Sequence, residues 1–246
     1  MALEDFTTYT EVDVVANRVS VAANKLTVTG LDGDELVQVY DDKGAGHFAT
    51  TFDHDVKVTP QSETGLSDPT NSVWTVANTT SGHDDHITSA EQAVLVDLRQ
   101  DTDQIRLIEC EALGIDVYDK GSDYNGDVFY LSCERTGDTT MALRIYSDAA
   151  RTALTDTLLV AIPSGRSYRY IFGLNAASGV GTGRVCAIDV EDLDLQEAAG
   201  TTHTLTQAEN MALATTPTRQ ADIYRALSST VATSTAQALA ATFRRL

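Results

Sequence analysis

The feature that most constrains the fold of this 246-residue chain is a long series of short segments in which apolar and polar residues alternate. Alternation with a period of two is typical of β-strands that bury one face. Val19 and Val21 alternate, as do Leu26 and Val28, with a change of phase near Asn24 that indicates a bulge or turn. The segments predicted as strands are residues 6–13, 18–28, 35–40, 48–58, 72–76, 93–98, 105–112, 115–118, 127–133, 141–146, 157–162, 168–174 and 184–195.

Turn-forming residues separate these segments, and no helical stretch of 10 to 15 residues lies between successive strands, which argues against a parallel α/β sheet. The turn motifs are LDGDE at 31–35, DKGAG at 42–46, YNGD at 124–127, RTGD at 135–138 and PSGR at 163–166. SGVGTG at 178–183 joins two predicted strands, so it predicts a hairpin loop and not a phosphate loop. Residues 1–197 are predicted to be mainly β, an antiparallel two-sheet jelly-roll sandwich.

Residues 198–246 predict a C-terminal α-helical tail. Thr206 and Glu209 have capping-box spacing, and Pro217 precedes a final helical segment. An apolar stripe on that segment has two interpretations: it packs on its own domain, or it associates with neighbouring chains. It is the candidate interface for docking or oligomerisation, and its residues are Ile223, Tyr224, Leu227, Val231, Leu239 and Phe243.

The charge balance restricts the expected partners. Thirty-six acids against 17 bases give a formal net charge of -19, and the tail carries four arginines against two acids. An acidic surface repels phosphates, so we expect no nucleic acid partner. No window approaches the roughly 18 uninterrupted apolar residues that a membrane span needs, so we expect no membrane insertion. Acid excess with scarce Lys resembles proteins of halophilic hosts, although a GC-rich genome also favours Arg over Lys. The N-terminus lacks the pattern of a signal peptide, which predicts synthesis in a cytoplasm.

Three cysteines, Cys110, Cys133 and Cys186, each lie in an apolar strand-like run. The odd number and the apolar neighbours predict three buried, unpaired thiols. A disulfide between two of them is the alternative, and it would leave the third unpaired.

Four segments together resemble concanavalin A-like, laminin-G-type jelly-roll domains of structural proteins from tailed viruses. They are VYDDKGAGHFATTFDHDV at 39–56, SVWTVAN at 72–78, YRYIFGLN at 168–175 and RVCAIDVEDLDL at 184–195. The resemblance implies a surface-exposed virion protein (capsid decoration, fibre or tail component) whose partners are other virion proteins and copies of itself. The alternative that it implies is a lectin-like module for host-surface glycans, and the third is a glycan hydrolase.

Glu109 and Glu111 are the acids considered for catalysis, because glycan hydrolases use paired carboxylates. Their i, i+2 spacing predicts a shared face, and Cys110 between them is expected to face the core, which places both acids in solvent. No aromatic-rich sugar platform accompanies them, and 36 acids make such a pair expected by chance. We predict no catalytic residues and no enzymatic activity.

Two acidic regions were considered as metal sites. His83, Asp84, Asp85 and His86 lie in a predicted loop, and a second set from a neighbouring hairpin could complete a site: His47, Asp53, His54 and Asp55. Adjacent ligands rarely converge on one ion, so a solvated acidic loop is the expected structure. For calcium the candidates are Asp41, Asp42, Asp123 and Asp127, and none forms an EF-hand pattern. No metal and no cofactor is predicted.

Trp74 and a short basic segment complete the candidates. Trp74 in SVWTV is predicted to be a core residue, with sugar stacking as the alternative. Arg166, Tyr168 and Arg169 offer an anion site or, as we expect, neutralise nearby carboxylates.

Overall fold

A computed structural model describes residues 3–14, 17–32, 35–49, 51–64, 70–176 and 185–196. A 3-10 helix at Phe6–Thr8 precedes the first strand, and one α-helix, α1 (His83–Thr88), lies between the sixth and seventh strands. The strands in chain order are β1 (Thr10–Asp13), β2 (Val19–Ala22), β3 (Lys25–Asp32), β4 (Val37–Asp42), β5 (Thr51–Thr64), β6 (Thr70–Ala77), β7 (Ala93–Arg99), β8 (Gln104–Glu109), β9 (Gly114–Asp119), β10 (Phe129–Thr136), β11 (Thr140–Tyr146), β12 (Leu154–Ala161), β13 (Tyr170–Ala176) and β14 (Val185–Asp194).

The strands form two seven-stranded sheets in which every described pairing is antiparallel. Sheet A has the order β1-β4-β13-β6-β7-β8-β9, and sheet B has the order β12-β11-β10-β5-β14-β3-β2. Some neighbouring strands are distant in the chain, as in β5-β14-β3, whereas others are consecutive, as in β6-β7-β8-β9 and β10-β11-β12. The mainly β, antiparallel two-sheet sandwich predicted from the alternation is confirmed.

The inward faces of the two sheets share one hydrophobic core. Val39 and Trp74 from sheet A join Val56 and Leu131 from sheet B in that cluster. Trp74 is fully buried, which confirms its prediction as a core residue. Alternate residues of each strand supply the core because successive side chains point to opposite faces.

The three cysteines are buried and unpaired, as predicted. Burial raises the pKa of the Cys186 thiol to about 12, and the pKa values of the other two thiols are raised as well. These thiols behave as small apolar side chains and not as nucleophiles.

Two tight turns agree with the sequence patterns. The change of phase at Asn24 corresponds to the hairpin between β2 and β3, where Ala22 pairs with Lys25. The RTGD segment joins β10 to β11, and Gly137 there has a φ of 123°, which a side chain would strain. This hairpin sets which residues of β10 and β11 lie opposite each other.

Residues 83–86 form most of α1, so the prediction of a loop there is wrong. The helix has six residues, less than two turns, with Asp84 and Asp85 in its first turn, where carboxylates are favourable. The sequence did not predict this helix because HDDHIT has no apolar stripe.

Several predictions fall outside the described residues. The SGVGTG loop lies within 177–184, and the helical tail with its candidate interface lies within 197–246, so both stay predictions. Among the described residues, no helix has the length and apolar character that a membrane-spanning helix requires.

Candidate functional site

The outward face of sheet A is covered by the segment that contains α1. A small apolar cluster beneath it consists of Ala77, Ala93, Leu95, Ile108, Cys110 and Phe172. Ile87 of α1 packs against this cluster, and the ring of His86 meets Phe172 edge-on at 6.0 Å. The protein's own chain therefore covers this cluster.

A buried polar row crosses sheet A next to that cluster. Strand register places Gln38, Asn175, Ser72, Asp97 and Arg106 side by side on five successive strands. The backbone carbonyl of Ser81, in the segment before α1, accepts hydrogen bonds from Gln38 and Asn175 at 2.8 and 3.3 Å. The row therefore attaches the covering segment to the sheet.

Asp97 is the centre of this row and is fully buried. Its carboxylate accepts hydrogen bonds from Ser72, from Nε2 of His83 at 2.8 Å and from Arg106 at 3.2 Å. Burial would lower the pKa of His83, but Asp97 and Asp84 outweigh it and raise the pKa to about 9. This pKa favours a buried imidazolium at neutral pH, whose Nε2 donates to the Asp97 carboxylate.

The two histidine-containing segments do not form a metal site. His83 lies on the outward face of sheet A, whereas His54 faces the core and accepts a hydrogen bond from Trp74 at 3.3 Å. Sheet A lies between them. Across the described part of the chain, no group of three His, Cys, Asp or Glu side chains is placed to hold a metal ion.

The aspartates named as calcium candidates lie in two separate places, and in each place a lysine or arginine side chain binds them. Asp42 forms a two-pronged pair with Arg169, at 2.7 and 2.6 Å, and Asp41 pairs with Lys43 at 3.1 Å. Asp127 is paired with Lys120, whose ammonium also donates to the backbone carbonyl of Asp123.

Glu109 and Glu111 do not share a face, so the expectation that both acids point to solvent is wrong. Strand β8 ends at Glu109, and the chain turns before β9 begins at Gly114. Glu109 and Glu111 are therefore not two alternate positions of one strand. Glu109 is 1 % exposed and accepts the backbone N–H groups of Glu111 and Ala112 at 3.2 and 2.7 Å. Glu111 instead pairs with Arg166.

Cys110 is buried in an apolar cluster, as expected, but this is the smaller cluster on the outward face of sheet A and not the core between the sheets. The preceding apolar residues of the same strand, Ile105 and Leu107, face the core between the sheets. Position 109 therefore belongs to the inward set and position 110 to the outward set, because alternation continues to the end of β8.

The basic residues just before β13 neutralise carboxylates, as expected. Arg166 pairs with Glu111 and Arg169 with Asp42. Tyr168 is buried beneath the guanidinium of Arg135, 5.8 Å from its ring centre. None of the three side chains is a free anion site.

The outward face of sheet B, hereafter the open face, carries an apolar stripe. Tyr130 on β10 lies directly opposite Tyr146 on β11, and Tyr146 lies opposite Leu154 on β12. Both tyrosines are partly exposed, and Leu154 is 53 % exposed. Paired residues share a face of a sheet, so the three side chains form a line across three strands.

A polar row runs beside this stripe, one step along the same strands. It contains Ser132 on β10, Arg144 on β11 and Thr157 on β12, with Asp55 on β5 at its end. The Ser132 hydroxyl donates to Asp53 at 3.0 Å, and Gln196 donates to Asp55 at 2.8 Å. Hydroxyl, carboxylate, amide and guanidinium groups thus lie next to an apolar stripe.

Each of the four cations that the described residues place on the open face forms an ion pair. The pairs are Lys25 with Asp189, Lys57 with Glu191, Arg144 with Glu134 and Arg151 with Asp55. The hydrogen bond with Glu191 raises the pKa of Lys57, so this pair persists at neutral pH. Acids outnumber these cations, since Asp53 and Asp194 lie on the same strands.

The sequence interpretation did not bring Tyr130 and Tyr146 together, although a signal was present. RTGD marks a hairpin there, and in the structure this hairpin is centred on Asp138, so residues equally distant from Asp138 pair across β10 and β11. That register places the two tyrosines opposite each other.

No protein-family model matches the sequence, and no curated protein matches it significantly. Among solved structures, the chain is similar to lectin II from Ulex europaeus, with a TM-score of 0.48 and 9% identity over 76% of this chain and 93% of that chain. It is similar to the exoplasmic/lumenal domain of VIP36 in its Ca²⁺-bound form, with a TM-score of 0.45 and 7% identity over 77% and 85%. It is also similar to the carbohydrate-binding module CBM66 from Bacillus subtilis, with a TM-score of 0.38 and 16% identity over 75% and 89%.

Proposed function

We propose that this domain is a non-catalytic glycan-binding module and that the open face is its binding surface. The observation that carries the proposal is the apolar stripe of Tyr130, Tyr146 and Leu154 beside the polar row. A pyranose ring has an apolar C–H face and a rim of hydroxyls, so it matches an aromatic surface flanked by hydrogen-bonding groups.

The placement of the acids supports a binding role over hydrolysis. A glycosidase needs one carboxylic acid and one carboxylate that both reach the scissile bond. Here Glu109 is buried and held by backbone N–H groups, and Glu111 is paired with Arg166. We propose on this ground that the protein is not an enzyme.

A glycan array probed with the full chain in high salt tests the proposed function. We expect binding to at least one glycan, lost in the double variant Tyr130→Ala/Tyr146→Ala. Tyr170→Ala is the matched control, because Tyr170 is a partly exposed tyrosine of sheet A. No binding to any glycan, or equal binding by the double variant, would contradict the proposal.

The role as a surface protein of a tailed virus, attached through the C-terminal segment, stays a prediction from the sequence resemblance. A glycan-binding module on a particle exterior agrees with both expectations. Detection of the protein in purified particles, by mass spectrometry, tests that placement.

A further inference from the structure

The dimensions and charge of the open face define a ligand class more narrowly, and this inference rests on the proposed function. We infer that the open face binds a neutral, extended polysaccharide chain that crosses strands β10, β11 and β12 and contacts at least two consecutive sugar residues.

The length of the apolar stripe carries the first part of the inference. Tyr130, Tyr146 and Leu154 occupy three neighbouring strands in register. Adjacent strands are about 4.8 Å apart, so the stripe is about 10 Å long, which exceeds the length of one pyranose ring. A single sugar covers only part of the stripe, whereas a polysaccharide places successive ring faces on successive side chains.

The direction of the polar row carries the second part. Ser132, Arg144 and Thr157 repeat at the same strand spacing and run parallel to the stripe. A polysaccharide lying along the stripe directs the hydroxyls of one edge toward Arg144 and Thr157, which are partly exposed, whereas Ser132 is buried and positions Asp53.

Charge excludes the anionic polysaccharides. The lysines and arginines of the open face are all engaged by carboxylates of the same face. A uronate or sulfate would have to displace Glu134 from Arg144 or Glu191 from Lys57, and it would meet Asp53 and Asp55 nearby. Neutral hydroxyls accept and donate hydrogen bonds without breaking these pairs.

Affinity electrophoresis of the full chain tests the inference, with gels containing galactomannan, mixed-linkage β-glucan or polygalacturonate. We expect retardation by a neutral polymer and none by polygalacturonate. For the retarding polymer, titration with its oligosaccharides of one to six residues should show affinity rising at least tenfold between one and three residues.

Point variants locate the contact. Tyr130→Ala and Tyr146→Ala should each weaken polymer binding about tenfold, while Tyr130→Phe, which keeps the ring, and the Tyr170→Ala control should bind like the wild type. Circular dichroism of each variant shows whether the fold is retained.

The outcomes separate this inference from the proposed function. Binding on the array together with equal affinity for mono- and oligosaccharides, or preference for polygalacturonate, overturns the inference and leaves a glycan-binding module. Retention in none of the neutral gels overturns it as well. No binding in the gels and none on the array overturns both.

Discussion

Replacing His83 with Gln tests whether a buried ion pair holds the segment around α1 on sheet A. Asp97 is fully buried and has three hydrogen-bond donors, of which His83 is the nearest charged one. Gln keeps a polar side chain of similar reach but carries no charge. The variant therefore removes the ionic part of the contact and leaves Ser72 and Arg106 in place.

Two estimates of the effect agree. Removing one partner of a buried pair costs about 3–5 kcal/mol of unfolding free energy, and Arg106 keeps the cost at the lower end. Raising the pKa of His83 from 6.5 to about 9 corresponds to about 3 kcal/mol, at 1.36 kcal/mol per pH unit. We expect His83→Gln to be destabilised by about 3 kcal/mol at pH 6.

The pH dependence follows from which state holds the proton. Below pH 6.5 His83 is protonated in the folded and the unfolded chain, so the pair stabilises in full. Between pH 6.5 and 9 the unfolded chain loses this proton first, and the stabilisation declines as pH rises. Burial would raise the pKa of Asp97, but His83 and Arg106 lower it below its ordinary value, so stability also falls in strong acid.

Urea unfolding between pH 5 and 10 measures this directly. The wild type should lose about 3 kcal/mol between pH 6.5 and 9, and His83→Gln should lose much less over the same range. The control is His47→Gln, since His47 is exposed. A variant as stable as the wild type at pH 6, with the same slope to pH 9, would refute the role of the pair.

Four further outcomes are expected. Asp116 accepts the N–H groups of Val117 and Leu159 at 2.9 Å each, on edge strands β9 and β12, so Asp116→Ala should cost about 1–3 kcal/mol and increase aggregation measured by light scattering. Burial lowers the pKa of His54 to about 3, so His54→Phe should shift the acid-unfolding midpoint to lower pH. Because the net charge is -19, the melting temperature should rise from low to molar salt. Deleting residues 199–246 should lower the mass in solution if the apolar stripe of the tail mediates association.

Each of these outcomes can fail separately. Unchanged scattering and stability of Asp116→Ala would show that the two edges need no carboxylate. An acid midpoint that does not move in His54→Phe would assign acid unfolding to other groups. Equal melting at all salt concentrations contradicts halophilic behaviour, and equal mass after truncation removes the tail as the association device.

Strand positions were predictable because strands such as β3 and β14 bury alternate residues, while strands such as β6 and β7, which are buried on both faces, are short apolar runs bounded by turn residues. The predicted segments at 93–98 and 141–146 coincide with β7 and β11 to within one residue. The prediction for positions 109 and 110 failed because the alternation of Ile105 and Leu107 assigns position 109 to the inward side and position 110 to the outward side, and because the strand stops at Glu109. Helix α1 escaped prediction because tertiary contacts of His83 and His86, and not an apolar stripe, hold it.

The open face was harder to predict, because it depends on pairing between strands. Tyr130 and Tyr146 are 16 residues apart in the chain, and only the β10–β11 hairpin places them opposite each other. Leu154 joins them through a bulge between Ile145 and Tyr146, which shifts the register of β12. A pattern read along one strand contains neither the neighbour nor the bulge.

An acidic surface is compatible with the binding of a neutral glycan. Stability and glycan affinity should differ in their dependence on salt concentration. The charge of the domain acts on its own stability, because repulsion among carboxylates weakens as ions screen it. A neutral sugar has no charge to be screened, so its affinity for the open face should stay constant over the salt range in which the melting temperature rises. An affinity that fell with salt would mean that ionic contacts dominate, and the apolar stripe would then not be the binding surface.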